Sequence, residues 1–253
     1  MMMDYVPILS PAKSLNEDVN QVAETTPVFI RKAKTINTHI RDLSPEELMD
    51  LQKISRNLAE LNAERNATWS VDAHDKGIPA LFAFSGDVYQ GLDASTLSDA
   101  AIERARNGVL ILSGLYGVLR PFDAMLPYRL EMGTKLSIGK SPNLHNYWRR
   151  DVTRFINEHF KGRTLVNLAS KEYAAAMSKK GLTVTVLDVE FKDFSKGEYK
   201  VIGFYAKKAR GYFARFLLES VPKTIRDLQA FDVEGYAWSQ EHSTDTKMVF
   251  IRG

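Results

Sequence analysis

The chain has 253 residues, 44% of them hydrophobic and 26% charged, which is enough for one large core or two small ones. It contains no cysteine, which excludes disulfides, thiolate catalysis and cysteine-ligated zinc or iron–sulfur centres, and no apolar run approaches the ~20 residues of a membrane helix. The formal charge of +3 is concentrated: Lys192 to Arg215 carries seven basic residues against two acids, leaving −2 on the remainder. One basic region on a near-neutral chain is the pattern of an anion site rather than of a generally adhesive surface.

The lack of cysteine makes a reducing cytoplasm the expected compartment; taken in chain order, Met1 to Ser10 lacks a basic n-region and reads as a strand rather than a signal peptide. β-branched and apolar runs predict strands at Val6–Leu9, Ile78–Phe84, Val109–Leu112, Thr164–Leu168, Leu182–Phe191, Tyr199–Phe204 and Lys247–Ile251. Ser44-Pro-Glu-Glu47 joins an N-cap serine, a first-turn proline and a capping-box glutamate. The helix it opens is expected to continue through Leu48, Leu51, Ile54, Leu58 and Leu61. Further helices are expected over Ser98–Arg106, Asn143–Phe160, Ser170–Lys180 and Pro222–Gln229, with Gly181 ending the third of these. Leu182–Phe204 reads as an antiparallel hairpin turning at Lys196-Gly197. The interleaving predicts a mixed α/β fold with α+β character: a mixed sheet flanked by helices, with a basic cleft. No linker or repeat interrupts it, so 1–253 is expected to be one domain.

The densest chemistry lies in Gly203–Phe216, with four cations, five aromatics and no acid. Wound as a helix, it places Tyr205, Ala209, Tyr212, Phe213 and Phe216 on one side, expected against the core. Lys207, Lys208, Arg210 and Arg215 spread over the other side, with Gly211 and Ala214 among them. Glycine inside a helix is about 1 kcal/mol worse than alanine, so Gly211 is expected to admit something close, and a phosphate suits the cations. An ordinary amphipathic helix with a solvated basic face fits the same pattern.

Other segments offer single features. Ser113-Gly-Leu-Tyr-Gly-Val-Leu-Arg-Pro121 sets Gly114 and Gly117 three apart with Arg120 nearby, an arrangement able to present backbone N–H groups to an anion or to form a strand-to-helix turn. It matches neither a P-loop nor a dinucleotide fingerprint. Lys13 follows the first strand, where α/β folds collect ligand groups. Asp87 is a helix cap or a functional carboxylate, and Arg129 with Glu131 is an ion pair or part of a site. Asp188 and Glu190 share a strand face, as a carboxylate pair or as solvated charges. The five histidines show no metal-ligand spacing and no nucleophile motif is present, so catalytic residues are not legible; no metal and no cofactor are expected.

Ser10-Pro-Ala-Lys13, Gly86-Asp-Val-Tyr89, Leu112-Ser-Gly-Leu-Tyr-Gly-Val-Leu-Arg-Pro121, Pro127-Tyr-Arg-Leu-Glu-Met-Gly133, Val166-Asn-Leu-Ala-Ser170 with Glu172-Tyr173, and Phe204-Tyr-Ala-Lys-Lys-Ala-Arg-Gly211 occur in this order. Together they resemble the YaaA-type peroxide-stress protein family of bacteria. The resemblance implies a cytoplasmic protein that helps limit damage from intracellular iron and peroxide. It also implies an unusual α/β fold, a positively charged cleft, DNA binding and a helix-hairpin-helix-like element. Carried onto this chain, Gly114 and Gly117 become the hairpin glycines and Lys207, Lys208 and Arg210 the cleft cations; the hairpin has one residue too many between its glycines.

Two leading functions follow; a third, direct iron binding through acids such as Asp188 and Glu190, is disfavoured because first-row metals favour histidine and no such spacing exists. In the first, the protein binds DNA with little sequence preference, holding phosphates through Lys13, Gly114, Gly117, Arg120, Arg129, Lys207, Lys208, Arg210 and Arg215. In the second, it is an enzyme for a nucleotide or other phosphorylated small molecule, with Lys13, Asp87, Arg129, Glu131 and Lys207 meeting in one pocket with the Ser113–Gly117 turn. A narrow polar pocket favours the second and a shallow open groove the first. No membrane partner is expected.

Overall fold

The computed structural model describes residues 3–253; Met1 and Met2, the first two residues of the N-terminal segment read as a strand, lie outside the described residues. The strands are β1 (Tyr5–Leu9), β2 (Ile78–Pro79), β3 (Leu110–Ser113), β4 (Gly117–Leu119), β5 (Ala124–Met125), β6 (Thr164–Asn167), β7 (Thr185–Ser195), β8 (Glu198–Lys200), β9 (Ala237–Trp238) and β10 (Lys247–Arg252). The helices are α1 (Ile30–Ile40), α2 (Pro45–Gln52), α3 (Arg56–Thr68), α4 (Ala80–Ala83), α5 (Asp87–Leu92), α6 (Asp99–Gly108), α7 (Leu144–His159), α8 (Lys171–Ala174), α9 (Gly203–Ser220) and α10 (Ile225–Gln229). The fold is mixed α/β, as expected.

One sheet runs β4-β3-β1-β6-β7-β10-β9, with β8 paired to β7. Its five middle strands, β3 to β10, are mutually parallel, and the antiparallel pairings are those of β4, β8 and β9. Every residue of β1 and β3 is buried, which is why these strands read as unbroken apolar runs rather than alternating ones. The chain leaves β1, returns in β3 on one side of it and later adds β6 on the other. The strand order therefore reverses at β1, and open parallel sheets place their ligands outside the carboxyl ends of the strands at such a point.

Several expected elements are shorter or divided. The helix opened by the Ser44 capping box forms, but it stops at Gln52 because Lys53 adopts a left-handed conformation (φ 54°), and α3 starts anew after Ser55. Ala59, Asn62 and Asn66 are the buried positions of α3, whereas Leu58 and Leu61 are exposed, so the leucine spacing did not mark its inner face. Ile78–Phe84 is a two-residue strand followed by one helical turn, α4. Ser170–Lys180 is helical only over α8. The Lys196-Gly197 hairpin forms with both residues at positive φ, but it ends at Lys200, and Gly203 already belongs to α9.

The Ser113–Gly117 segment is the turn of an antiparallel hairpin between β3 and β4. Strands rather than helices flank it, which corrects both the helix-hairpin-helix and the strand-to-helix expectations. A Cβ on Gly117 (φ 72°) would lie 2.5 Å from the Trp148 ring of α7, so the turn is packed inward against that helix. Tyr116 at its tip accepts hydrogen bonds from Trp69 Nε1 (2.9 Å) and the Leu126 N–H (3.2 Å), and its hydroxyl lies 3.1 Å from His74 Nε2. This buried cluster fixes the start of the segment Leu126–Glu131, which becomes one wall of the pocket below.

The inner face of α9 is rotated from its expected position by roughly one residue's 100°. Ala206, Ala209, Gly211, Phe213, Ala214, Leu217 and Leu218 are buried, whereas Tyr205 is 45% and Phe204 57% exposed. Gly211 and Ala214 thus face the protein. A Cβ on Gly211 would overlap the Val88 carbonyl oxygen and stand 2.6 Å from the Leu92 nitrogen; one on Gly91 would overlap the Lys208 carbonyl oxygen. What approaches Gly211 is the backbone of α5, not a phosphate. The small residues were read as an outward opening because the sequence does not contain the position of the second helix.

Candidate functional site

Five segments close around a cavity of about 520 Å³. They are Ser10–Ser14 after β1, Ser85–Gln90 at the start of α5, Tyr128–Glu131 after β5, Leu168 to Tyr173 around the end of β6, and Lys207 with Arg210 on α9. The parallel pairing of β1 with β6 brings the first and fourth together. The Ser170 N–H donates to Ser10 Oγ (2.9 Å), and Ser10 Oγ lies 3.4 Å from Ser170 Oγ. Gly86 admits Ala12, since a Cβ there would stand 2.9 Å from the Ala12 Cβ.

Gly114 acts one layer back. A Cβ on it would overlap the Leu130 carbonyl oxygen, so its lack of a side chain lets Tyr128–Glu131 lie against the sheet and aims Arg129 and Glu131 into the cavity. Tyr128 is anchored to Ser113 by hydroxyls 2.6 Å apart, and Gln52 of α2 donates to the Arg129 carbonyl (2.9 Å). Glu131 Oε1 receives Lys13 Nζ at 3.0 Å and Arg129 Nη2 at 3.2 Å. Arg129 Nε is buried without a hydrogen-bond partner among the described residues. On the third wall the Gly133 N–H donates to Glu172 Oε1 (2.7 Å).

The α9 side differs in having weakly matched cations. Lys207 Nζ stands 3.7 Å from Asp87 Oδ2, a loose pair. Arg210 is half-buried, and among the described residues no carboxylate oxygen comes within ion-pair distance of it. Burial pushes its guanidinium below the ordinary arginine range, and the charge of Glu190 opposes that shift. A desolvated cation without a partner is costly unless a ligand supplies the counter-charge. Buried beside these groups are Tyr89, Tyr128 and Tyr173, whose hydroxyls burial raises well above the ordinary tyrosine range, so they remain neutral. Tyr89 donates to the Ser10 carbonyl at 3.0 Å.

Of the nine residues expected to hold phosphate, Lys13, Arg129, Lys207 and Arg210 line this cavity. Five do not. Gly114 and Gly117 are packed under it or behind it, as described. Arg120 pairs with the fully buried Asp123 (2.7 Å) and donates to the Thr26 carbonyl, so it is tied into the structure. Arg215 donates to the carbonyls of Leu92, Asp93 and Thr96 at 2.8–3.1 Å, satisfying the end of α5. Lys208 points away, 5.5 Å above the Tyr212 ring. The five residues expected to meet in a pocket (Lys13, Asp87, Arg129, Glu131 and Lys207) do line it together, but the Ser113–Gly117 turn does not.

Ser10, Ser170, Glu172 and the three tyrosines were not singled out as site residues from the sequence; all follow a strand end or open a helix, which is the one signal that marks them. Asp188 accepts from Asn167 Nδ2 (2.7 Å), and Glu190 stands 3.7 Å from Lys192 and 3.8 Å from Lys247, so each carboxylate has polar partners outside the cavity. Among the described residues no three His, Asp or Glu side chains are grouped as metal ligands. Also among them, no helix is long and apolar enough to cross a membrane.

A mainly parallel sheet whose polar cavity lies over the carboxyl ends of its middle strands, where the strand order reverses, defines the class: an α/β protein with a pocket at the switch point. Residues 6–242 match the profile of the family described as peroxide stress protein YaaA, and the chain belongs to that family. It is 46% identical over 251 residues to a UPF0246 protein of Idiomarina loihiensis and 43% identical over 251 residues to one of Aliivibrio fischeri, covering 97% of each chain. A UPF0246 protein of Flavobacterium johnsoniae is 41% identical over 249 residues, covering 97% of this chain and 99% of that one.

Proposed function

We propose that this member of the peroxide-stress family works by binding a phosphorylated small molecule in the cavity between α9 and the ends of β1 and β6. The observation that carries the reading is Arg210, a half-buried cation with no carboxylate partner among the described residues, set beside Lys207 in a cavity of about 520 Å³. That volume suits a small ligand and is too small to enclose a nucleic-acid duplex. Three carboxylates, Asp87, Glu131 and Glu172, line the same cavity. They disfavour a polyanion running through it, yet they suit a ligand with one anionic end and hydrogen-bond donors elsewhere. Asp87 and Glu131, each beside a cation, are the groups placed to move a proton if the ligand is also a substrate.

DNA binding, as the resemblance implies, is a second reading, favoured by the exposed rings of Phe204 and Tyr205 within a turn of Lys207 and Lys208. Unpaired bases would stack there while one phosphate enters the cavity. Under either reading the limiting of iron and peroxide damage is an outcome of the bound ligand.

Calorimetric titration with ribose 5-phosphate, single-stranded DNA and duplex DNA at 50 and 200 mM salt separates the two. The small-molecule reading expects saturable one-to-one binding of the sugar phosphate, losing less than tenfold between the two salts. No sugar-phosphate binding, together with saturable binding of single-stranded DNA in preference to duplex, overturns it in favour of the DNA reading.

A further inference from the structure

The cavity does not end at Gln90. Ser85, Tyr89 and Gln90 are shared with a second hollow of about 330 Å³, on the other side of the start of α5. This hollow is formed where the chain leaving β1 runs back over α4. The Asn16 N–H donates to the Ala83 carbonyl (2.7 Å) and the Ser85 N–H to the Ser14 carbonyl (3.0 Å), fixing the start of the strap Asn16–Gln21, which lines the hollow together with Leu81, Phe82 and Phe84.

The two hollows have opposite chemistry. The first has four cations, Lys13, Arg129, Lys207 and Arg210, against three carboxylates, Asp87, Glu131 and Glu172. The second has none: Asp18 and Asp93 are its charged residues, and Asn16, Asn20, Gln21 and Gln90 give it four carboxamides. Asp93 is held ionised, because hydrogen bonds from Thr96 and Ser95 keep its carboxyl below the ordinary range. A second phosphate is therefore repelled there. The group that fits is planar and uncharged, with a polar edge for the amides and carboxylates and a face for the phenylalanines.

Resting on the phosphate reading of the first hollow, we infer that the ligand is a nucleotide, with its phosphate against Lys207 and Arg210 and its base under the Asn16–Gln21 strap. The base carries an exocyclic amino group. Carboxamides pair with an amino group and its neighbouring ring nitrogen through two hydrogen bonds, and Asp18 accepts only from donors. Uracil offers Asp18 a single imide N–H flanked by two carbonyl oxygens that repel the carboxylate, whereas an exocyclic amino group offers two hydrogens.

The test is calorimetric titration of the full chain with AMP, UMP and ribose 5-phosphate, repeated on the double variant Asn20→Ala/Gln21→Ala. Both changes lie on the exposed strap, outside the core. AMP is expected to bind wild type at least tenfold more tightly than ribose 5-phosphate, and the double variant to bring AMP down to the sugar-phosphate level while leaving ribose 5-phosphate unchanged. Equal affinities of AMP and ribose 5-phosphate for wild type, or AMP binding indifferent to the double variant, overturn the base site and leave the phosphate pocket standing. UMP binding as tightly as AMP overturns the amino-group preference and with it the proposal as stated. Failure of all three to bind removes the phosphate pocket and the base site together.

Discussion

Gly211→Ala is expected to destabilise the protein by about 3 kcal/mol, the upper end for an overpacked core position, because its neighbours cannot move aside. The atoms in the way are backbone: the Val88 carbonyl oxygen, the Leu92 nitrogen at 2.6 Å and the Gly91 carbonyl carbon at 2.9 Å. No rotamer change relieves such a contact, so α5 and α9 must separate along a seam where Gly91 also meets the Lys208 carbonyl. The consequence extends to the pocket, because α5 carries Asp87 and α9 carries Lys207 and Arg210. Gly203→Ala is the matched control on the same helix. A Cβ there meets nothing within 4 Å, and alanine at that position is neutral or stabilising by up to about 1 kcal/mol. Urea unfolding of both variants checks the pair, and a Gly211→Ala protein as stable as wild type would show that the helices are not held at backbone contact.

Arg210→Gln is expected to weaken binding of a phosphorylated ligand by about 10- to 150-fold, the worth of a charged hydrogen bond of roughly 1.5–3 kcal/mol. The same change is expected to leave the melting temperature of the ligand-free protein unchanged or slightly higher. The two effects separate a ligand cation from a structural one. A buried cation that completes an internal ion pair leaves an orphaned charge behind when removed, at about 3–5 kcal/mol, as expected for Arg120 over the fully buried Asp123. Arg210 has no such partner among the described residues, and burial already disfavours its charge. Its removal relieves desolvation and strands no carboxylate. Lower stability with unaltered ligand affinity would assign it to the scaffold.

The parts of the fold legible in the sequence were those set by local chemistry. Ser44, Ser98 and Asn143 cap the helices they were expected to open, each accepting a hydrogen bond from a backbone N–H within the first turn. The buried runs of β1, β3 and β6 were visible because strands covered on both faces need no polar alternation. What failed depended on distant partners. Gly114, Gly117 and Gly211 were read as openings for an anion, yet they admit Leu130, Trp148 and Val88 from other parts of the chain. Arg215 and Arg120 looked like free cations, because their acceptors are carbonyls and a carboxylate that only the fold brings to them. The segments that do form the cavity shared one readable property: each follows a strand end or opens a helix. That property is enough to nominate Lys13, Asp87, Arg129, Glu131 and Lys207 as neighbours, but not to exclude the turn at Ser113–Gly117.

The central claim is a place: an oxyanion held between Arg210 and Lys207 at the switch point of the sheet. Crystals soaked in tungstate, a phosphate-shaped oxyanion located by its anomalous scattering, test it most directly. The strongest anomalous peak is expected within about 4 Å of both the Arg210 guanidinium and Lys207 Nζ, the range of a charge-assisted contact. Tungstate confined to the exposed arginines of α7, with nothing between Arg210 and Lys207, would contradict the account.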